Sequence, residues 1–104
     1  MALKELTSEE REAARSKALQ ARTARADLKE SFRAGKTTLQ SVFDMADVDD
    51  AIGRMRTVDL LQTLQGVGEV RAAKIMETCG ISPNRRLRGL GRRQREALIA
   101  YIGR

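Results

Sequence analysis

The chain has 104 residues and one proline, enough for one compact domain with a projecting element but too few for two full domains. It has no histidine and one cysteine, which excludes a Ser-His-Asp triad, a Cys-His dyad, the ordinary zinc sites and a disulfide within the chain. Its 20 lysines and arginines against 14 aspartates and glutamates give a net charge of +6, so we expect a polyanionic partner such as nucleic acid. Apolar runs are short, and we therefore expect a cytoplasmic protein with no membrane span. We also expect no metal, no cofactor and no catalytic residue.

The net charge is concentrated at the C-terminus. Residues 1–84 carry 13 basic and 13 acidic side chains, whereas residues 85–104 carry seven arginines against Glu96. A solvated surface is the usual explanation of a charge run. Here, however, every cation is an arginine, whose planar guanidinium suits two-point contact with phosphate. The segment therefore predicts phosphate binding.

The first predicted element is a long helix over residues 8–34. Thr7 and Glu10 are spaced as a capping box at its start. Its apolar residues are mostly alanines until Leu28 and Phe32, which lie one turn apart, so only the C-terminal half has bulk to bury. We expect the N-terminal half to project into solvent or to lie along a polyanion.

Basic residues follow this helix, and three of them are additional candidate contacts to a polyanion: Arg15, Arg22 and Arg25. Ion pairs one turn apart, such as Arg15 with Glu12, explain the same residues equally well.

A second, shorter helix is predicted over residues 36–46. Thr37 and Gln40 are spaced as its capping box, and Leu39, Val42, Phe43 and Ala46 form its apolar stripe. The acidic stretch 44–50 follows, with four aspartates and the start of a further short helix. We expect this stretch to stay away from phosphate because like charges repel.

The remaining pattern is helix, tight turn, helix, loop, helix. Thr57 is predicted to cap a helix that ends at Gly66, and a second helix is predicted over 69–79. This second helix is expected to face the core with Val70, Ala73, Ile75 and Met76. A last helix over 92–102 is expected to bury Ala97, Leu98, Tyr101 and Ile102. No useful stretch alternates with period two, so the sequence predicts an all-α protein.

The hairpin Gly66-Val67-Gly68 is the first candidate site. Its glycines permit positive φ and close approach of the backbone, and the helix that follows presents unpaired N–H groups and the positive end of its dipole. Arg71 and Lys74, three residues apart, lie one turn into that helix and are placed to hold a phosphate. A tight helix connection needs the same glycines, so the hairpin is equally well explained as structural.

The arginine loop, residues 85–93, is the second candidate site. Leu87 and Leu90 are spaced to anchor it, which leaves the arginines outside and lets the glycines approach a ligand. Five arginines within nine residues repel one another unless a polyanion neutralises them. The candidate contacts are Arg85, Arg86, Arg88, Gly89, Gly91, Arg92 and Arg93.

Two resemblances emerge from these segments. The run GVGEVRAAKIMETCGISPNRRLRGLGRRQREALIAYI resembles the helix-two-turns-helix module of a ribosomal protein of the small-subunit head and of formamidopyrimidine-type DNA glycosylases. Together with the N-terminal run MALKELTSEEREAARSKALQARTARADLKESFRAG and the segment IGRMRTVDLLQTL, it resembles actinobacterial integration host factor over nearly the whole chain.

The resemblance implies a long N-terminal helix, residues 1–35, packed on a compact helical DNA-binding domain, residues 36–104, with the module at about residues 57–103. It also implies a nucleoid-associated, architectural protein that binds double-stranded DNA with little sequence preference, bends or compacts it, and assists phage integration. Phage integrase at an attachment site is then a further partner, and we expect a monomer in free solution.

Three other functions stay open. An RNA-binding module of the ribosomal type is the first alternative, because neither candidate site senses a 2′-hydroxyl by itself. A repair glycosylase needs a catalytic domain and a nucleophilic amine, and we expect neither in this chain. A protein-interaction module is the third, since paired helices around a hairpin also bind protein partners.

Overall fold

The computed structural model describes residues 5–103, so the first four residues of the predicted N-terminal unit and Arg104 lie outside the described residues. The described residues form six α-helices in the order α1 (Ser8–Arg33), α2 (Leu39–Val48), α3 (Asp50–Gly53), α4 (Thr57–Leu61), α5 (Glu69–Thr78) and α6 (Arg92–Ile102). A single turn of 3₁₀ helix, Leu87–Gly89, precedes α6. Within residues 5–103 there is no β-strand, only an antiparallel bridge between Arg56 and Arg86, and the predicted all-α class is confirmed.

Helix α1 begins and ends within one residue of its predicted bounds. The Thr7 hydroxyl accepts from the Glu10 N–H, and the Glu10 carboxylate accepts from the Thr7 N–H, so the predicted capping box is present. Its 26 residues make a helix about 39 Å long. Leu28 and Phe32 are buried, whereas all side chains from residue 5 to residue 20 are exposed.

The core is aliphatic, with two phenylalanines, and lies where α3 packs against both α1 and α2. Helices α4, α5 and α6 then pack in succession, and α6 returns to α2. The predicted stripe of α2 is confirmed, with Leu39, Val42, Phe43 and Ala46 fully buried.

The predicted cap of α2 was wrong by one residue. Thr38, not Thr37, is the N-cap: it is extended, and its hydroxyl accepts from the Ser41 N–H at 3.1 Å. Gln40 instead donates from its side chain to Asp44. Thr38 and Ser41 repeat the Thr37 and Gln40 spacing, so spacing alone does not distinguish the two registers.

The predicted cap of α4 was also wrong. Arg56 is the N-cap, and Thr57 lies inside the helix, fully buried, with no hydrogen-bond partner for its hydroxyl among the described residues. The backbone explains the shift, because the Thr57 N–H donates to the Arg85 carbonyl at 3.0 Å. This long-range bond fixes the chain before the helix in an extended form.

The inward face of α5 differs from the prediction. Val70 is 85% exposed and Ala73 is exposed, while Ala72, Ile75 and Met76 are buried. A stripe that starts at Ala72 has the same helical spacing and includes Cys79, which packs against the core. Burial raises the pKa of the Cys79 thiol, which favours its unreactive protonated form.

Helix α6 has its predicted bounds, but of the four residues expected to be buried only Leu98 is; Ala97 and Ile102 are half-buried. Leu98 is fully buried, whereas Tyr101 is 51% exposed and Ile99 packs against the core in its place.

Candidate nucleic-acid interface

The Gly66–Gly68 hairpin places an uncapped helix end on the surface. Gly66 has φ +79°, the left-handed region that favours glycine, while Gly68 is extended and serves as the N-cap of α5 without any side-chain hydrogen bond. Of the two glycines that permit positive φ, only Gly66 adopts it. Val67 between them packs partly against the core and holds the turn in place. A Cβ on either glycine would meet nothing within 4 Å, so another backbone can come close.

Cations lie next to this helix end. The first amides of α5 have no partner inside the helix and carry the positive end of its dipole. Arg71 and Lys74 are both exposed, three residues apart on the same helix. Glu69 occupies the first helical position and adds a negative charge beside them. The arrangement can bind an anion through backbone amides and two side chains, with Glu69 as a local opponent.

The arginine loop is anchored by its two leucines, as the sequence predicted. Leu87 is fully buried and Leu90 nearly so. The backbone adds two bonds to the segment before α4, from Thr57 N–H to the Arg85 carbonyl and from Leu87 N–H to the Met55 carbonyl at 2.9 Å. The loop is therefore a fixed platform for its side chains.

Arg88, predicted to hold phosphate, makes hydrogen bonds to α2 and α3, although 43% of its side chain stays exposed. Its Nε donates to the Ala46 carbonyl at 3.0 Å, and its Nη1 donates to the Asp50 carboxylate at 2.8 Å. Hydrogen bonding to Arg88 is the main cause that lowers the pKa of Asp50. The guanidinium occupies space next to Gly53, where a Cβ would stand 2.7 Å from Nε. Arg88 thus connects the loop to α2 and α3.

Arg95 is a second inward arginine, and sequence reasoning missed it. Its two terminal nitrogens donate to the Asp47 carboxylate at 2.8 and 2.7 Å, and its Nε donates to the Leu90 carbonyl at 3.0 Å. The guanidinium also lies 5.1 Å from the centre of the Phe43 ring. This pairing lowers the pKa of Asp47 and raises that of Arg95. The available signal was position, because Arg95 lies one turn before buried Leu98.

Two aspartates of the acidic stretch form ion pairs with Arg88 and Arg95. Asp47 and Asp50 neutralise the two inward guanidiniums. They therefore hold the loop and α6 against α2 and α3, and they compensate part of the positive charge that the sequence places in this region.

The other arginines of the loop make fewer bonds within the protein than Arg88 does. Arg85 and Arg93 are exposed and, within residues 5–103, form no ion pair. Arg86 is exposed and donates to the Arg54 carbonyl. Arg92 pairs with Glu96 at 3.1 Å, but its side chain is 92% exposed, so the pair is weak.

The glycines of the loop differ in their use. Gly91 is the N-cap of α6, and its N–H donates to the Gln94 side chain at 2.9 Å. Gly89 is exposed, and a Cβ added to it would lie closest to the side chain of Arg85.

On α1, Arg15 pairs with Glu12 at 2.8 Å, the ion pair that the sequence suggested as an alternative. Arg22 is exposed and Arg25 is half-buried.

Other chemistries find no support in the described part of the chain. Among residues 5–103, no group of three or more cysteines, aspartates or glutamates could hold a metal ion. No helix in the same range is long and apolar enough to cross a membrane.

Comparison with known proteins places this geometry in a family. The sequence model of the S13-like H2TH domain matches residues 32–102. The chain is 48% identical to the integration host factor of Mycobacterium tuberculosis over 103 residues, covering 99% of this chain and 98% of that protein. It is 46% identical to the integration host factor of Streptomyces coelicolor over 103 residues, covering 99% and 96%. A solved structure, sIHF bound to an 8-bp palindromic DNA, matches with a TM-score of 0.80 and 42% identity, covering 85% of this chain and 99% of that one. The chain therefore belongs to the actinobacterial integration host factor family, built on an S13-like H2TH domain.

Proposed function

We propose that this protein is a non-catalytic, architectural DNA-binding protein that holds the sugar-phosphate backbone of duplex DNA. The observation that carries the proposal is the likeness in fold and sequence to sIHF, which was solved bound to an 8-bp palindromic DNA. The geometry supports it independently, since exposed cations surround two fixed turns.

The hairpin is the first backbone contact. One phosphate lies at the amide end of α5, where Gly66, Val67 and Gly68 let the strand approach and where Arg71 and Lys74 flank it. This contact reads no base, because it uses amides and charge alone.

The arginine loop is the second contact. Arg85, Arg86, Arg92 and Arg93 face solvent and hold another part of the backbone, with Gly89 and Gly91 leaving room for it. Arg88 has a different task, because its hydrogen bonds are made within the protein. We assign it the role of positioning the loop.

Two contacts on one duplex are a physical route to bending. Elastic bending by about 40–90° costs about 1–6 kcal/mol. Hydrogen bonds to charged groups contribute about 1.5–3 kcal/mol each, so a few of them offset this cost. Bending or compaction of the chromosome, a place in the nucleoid, and assistance to phage integrase belong to the same proposal, which the name of the relatives supports.

RNA binding is the second candidate, favoured by the match to an S13-like domain. An equilibrium competition between a duplex DNA and a structured RNA of equal length and equal salt separates the two. We expect the protein to prefer DNA. In a separate cleavage assay on a duplex that carries a damaged base, we expect both strands to stay intact. Clear RNA preference would reverse the assignment, and strand cleavage would contradict the non-catalytic role.

A further inference from the structure

A basic cleft adjoins the arginine loop and shares Arg86 with it, while its other lining residues belong to neither contact described above. Its volume is about 370 Å³, and it is lined by Arg25, Lys29, Arg54, Met55, Arg56, Asp59 and Arg86. We propose that this cleft is an additional site for the phosphodiester backbone of duplex DNA, with Lys29, Arg54 and Arg56 as its own contacts. The inference rests on the proposed function and extends it to residues that the hairpin and the loop do not include.

The α1 wall of the cleft presents cations at a fixed position. Arg25 and Lys29 are one helical turn apart and flank buried Leu28. Both are half-buried and line the cleft.

The opposite wall brings two arginines face to face. Arg56 and Arg86 form the antiparallel bridge, and the bonds on either side of it make them the narrow, non-hydrogen-bonded pair. In such a pair the side chains leave the same face, with the Cα atoms about 4.5 Å apart. Like charges directly opposite one another destabilise a pair of strands. An anion placed between them removes this cost.

Arg54 adds a further charge at the same edge. Buried Met55 separates it from Arg56, Arg86 donates to the Arg54 carbonyl, and all three arginines line the cleft. The charge of Arg54 also lowers the pKa of Asp50, whose carboxylate pairs with Arg88. Within the cleft itself, Asp59 is the single acid against five cations.

The spread of these charges fits a strand better than a small anion. The cations come from three separate chain segments, and a row on α1 continues away from the cleft through Arg22 and Arg15, at positions that share its face with Lys29. A free phosphate would contact a part of this set, whereas a phosphodiester strand carries one charge every 3.4 Å or so along the duplex and can follow the row.

The test is a salt titration of duplex affinity for a cleft variant and a matched control. The cleft variant is Arg54→Gln with Arg56→Gln, and the control is Arg11→Gln with Lys36→Gln, which removes the same charge from exposed positions that do not line the cleft. We expect the cleft variant to reduce the slope of log K against log salt by about 2, and the control by less than about 1. The lysine pair Arg54→Lys with Arg56→Lys should restore most of the slope, because it keeps the charges.

Different results of the salt titration distinguish a failure of this inference from a failure of the proposed function. If the wild type binds duplex with a steep salt slope and the cleft variant behaves as the control does, the cleft site is wrong and the proposed function stands. If the wild type does not bind duplex, both fall. Saturable binding of inorganic phosphate as tight as that of the duplex, seen in the amide resonances of Arg54 and Arg56, would overturn the assignment to a strand.

Discussion

The guanidinium of Arg88 occupies the space that Gly53 leaves by lacking a side chain. A Cβ on Gly53 would lie 2.7 Å from Nε of Arg88 and 2.6 Å from the carbonyl oxygen of Ala46, the atom to which that Nε donates. Gly53 is itself buried at the end of α3. Because Gly53 has no Cβ, the Arg88 guanidinium fits beside it. The position of the arginine loop therefore depends on an uncharged residue in a short helix.

Substitution of Gly53 by alanine should therefore disturb the loop. The Cβ must push away a backbone carbonyl or the guanidinium, and we expect a loss of about 1–3 kcal/mol in the free energy of unfolding. Urea denaturation followed by circular dichroism measures it. Gly89→Ala is the matched control, because its Cβ would meet only the flexible Arg85 side chain, at 3.3 Å. Equal stability of Gly53→Ala and the wild type would show that Arg88 is not held in this space.

Substitution of Arg88 and substitution of the arginines without an ion pair should have different effects. Arg85→Ala with Arg93→Ala should keep the unfolding midpoint and reduce the salt slope of DNA binding by about 2, because these side chains have no structural partner in the described chain. Arg88→Ala should lower the stability as well, by leaving Asp50 and the Ala46 carbonyl without a donor.

Replacement of Arg88 by lysine distinguishes positioning from contact. Lysine keeps the charge but cannot reproduce the two directed bonds of the guanidinium. We expect Arg88→Lys to remain less stable than the wild type. Full recovery of stability and affinity by lysine would assign Arg88 to charge contact with phosphate.

Acid should destabilise the fold through Asp47 and Asp50. Hydrogen bonds from Arg95 and Arg88 hold the pKa of each carboxyl below its ordinary value. A lowered pKa stabilises the folded state above the ordinary pKa of about 4, and this contribution is lost as pH falls through the folded-state value. We expect the thermal midpoint to fall modestly below about pH 4, because solvent screens these exposed carboxyls. In Asp47→Asn with Asp50→Asn the midpoint should be lower at pH 7 and change less with acid; an unchanged acid response would contradict this.

Glu69 should weaken the hairpin contact. It occupies the first helical position of α5, where it stabilises the helix dipole but repels a phosphate at the same amides. We expect Glu69→Gln to tighten duplex binding several-fold at low salt, at a cost of about 0.3–1 kcal/mol in stability. Glu77→Gln, an exposed acid at the other end of α5, is the control. Equal gains in both variants would remove Glu69 from the contact.

Thr57 should tolerate removal of its hydroxyl. The oxygen is buried without a partner among the described residues, and such a group costs about 1–3 kcal/mol to desolvate. Valine has nearly the same shape, so Thr57→Val should leave stability unchanged or raise it. A clear loss in the free energy of unfolding would mean that the hydroxyl has a bound partner.

The helices could be predicted because their signals are local. The Thr7 capping box and the leucines of the arginine loop lie within a few residues of the elements that they fix. The cap of α4 could not be predicted in the same way, since a hydrogen bond between Thr57 and Arg85 sets it.

The candidate site shows the same difference between local and long-range signals. Glycine spacing and charge predicted the hairpin and the arginine loop as candidate contacts, but the direction of each arginine depends on distant residues. Arg88 reaches a carbonyl 42 positions earlier in the chain, and Arg95 reaches a carboxylate 48 positions earlier. Sequence spacing contains neither distance, so an inward arginine and a phosphate-binding one look alike in the sequence.

The central claim, that this chain holds duplex DNA by its backbone, is tested most directly by the salt dependence of duplex affinity for the wild-type protein. With about six phosphates neutralised, log K should fall against log salt with a slope near 5, and two duplexes of unrelated sequence should give the same slope. An affinity that does not change with salt, or the absence of a complex with duplex at low salt, would contradict it.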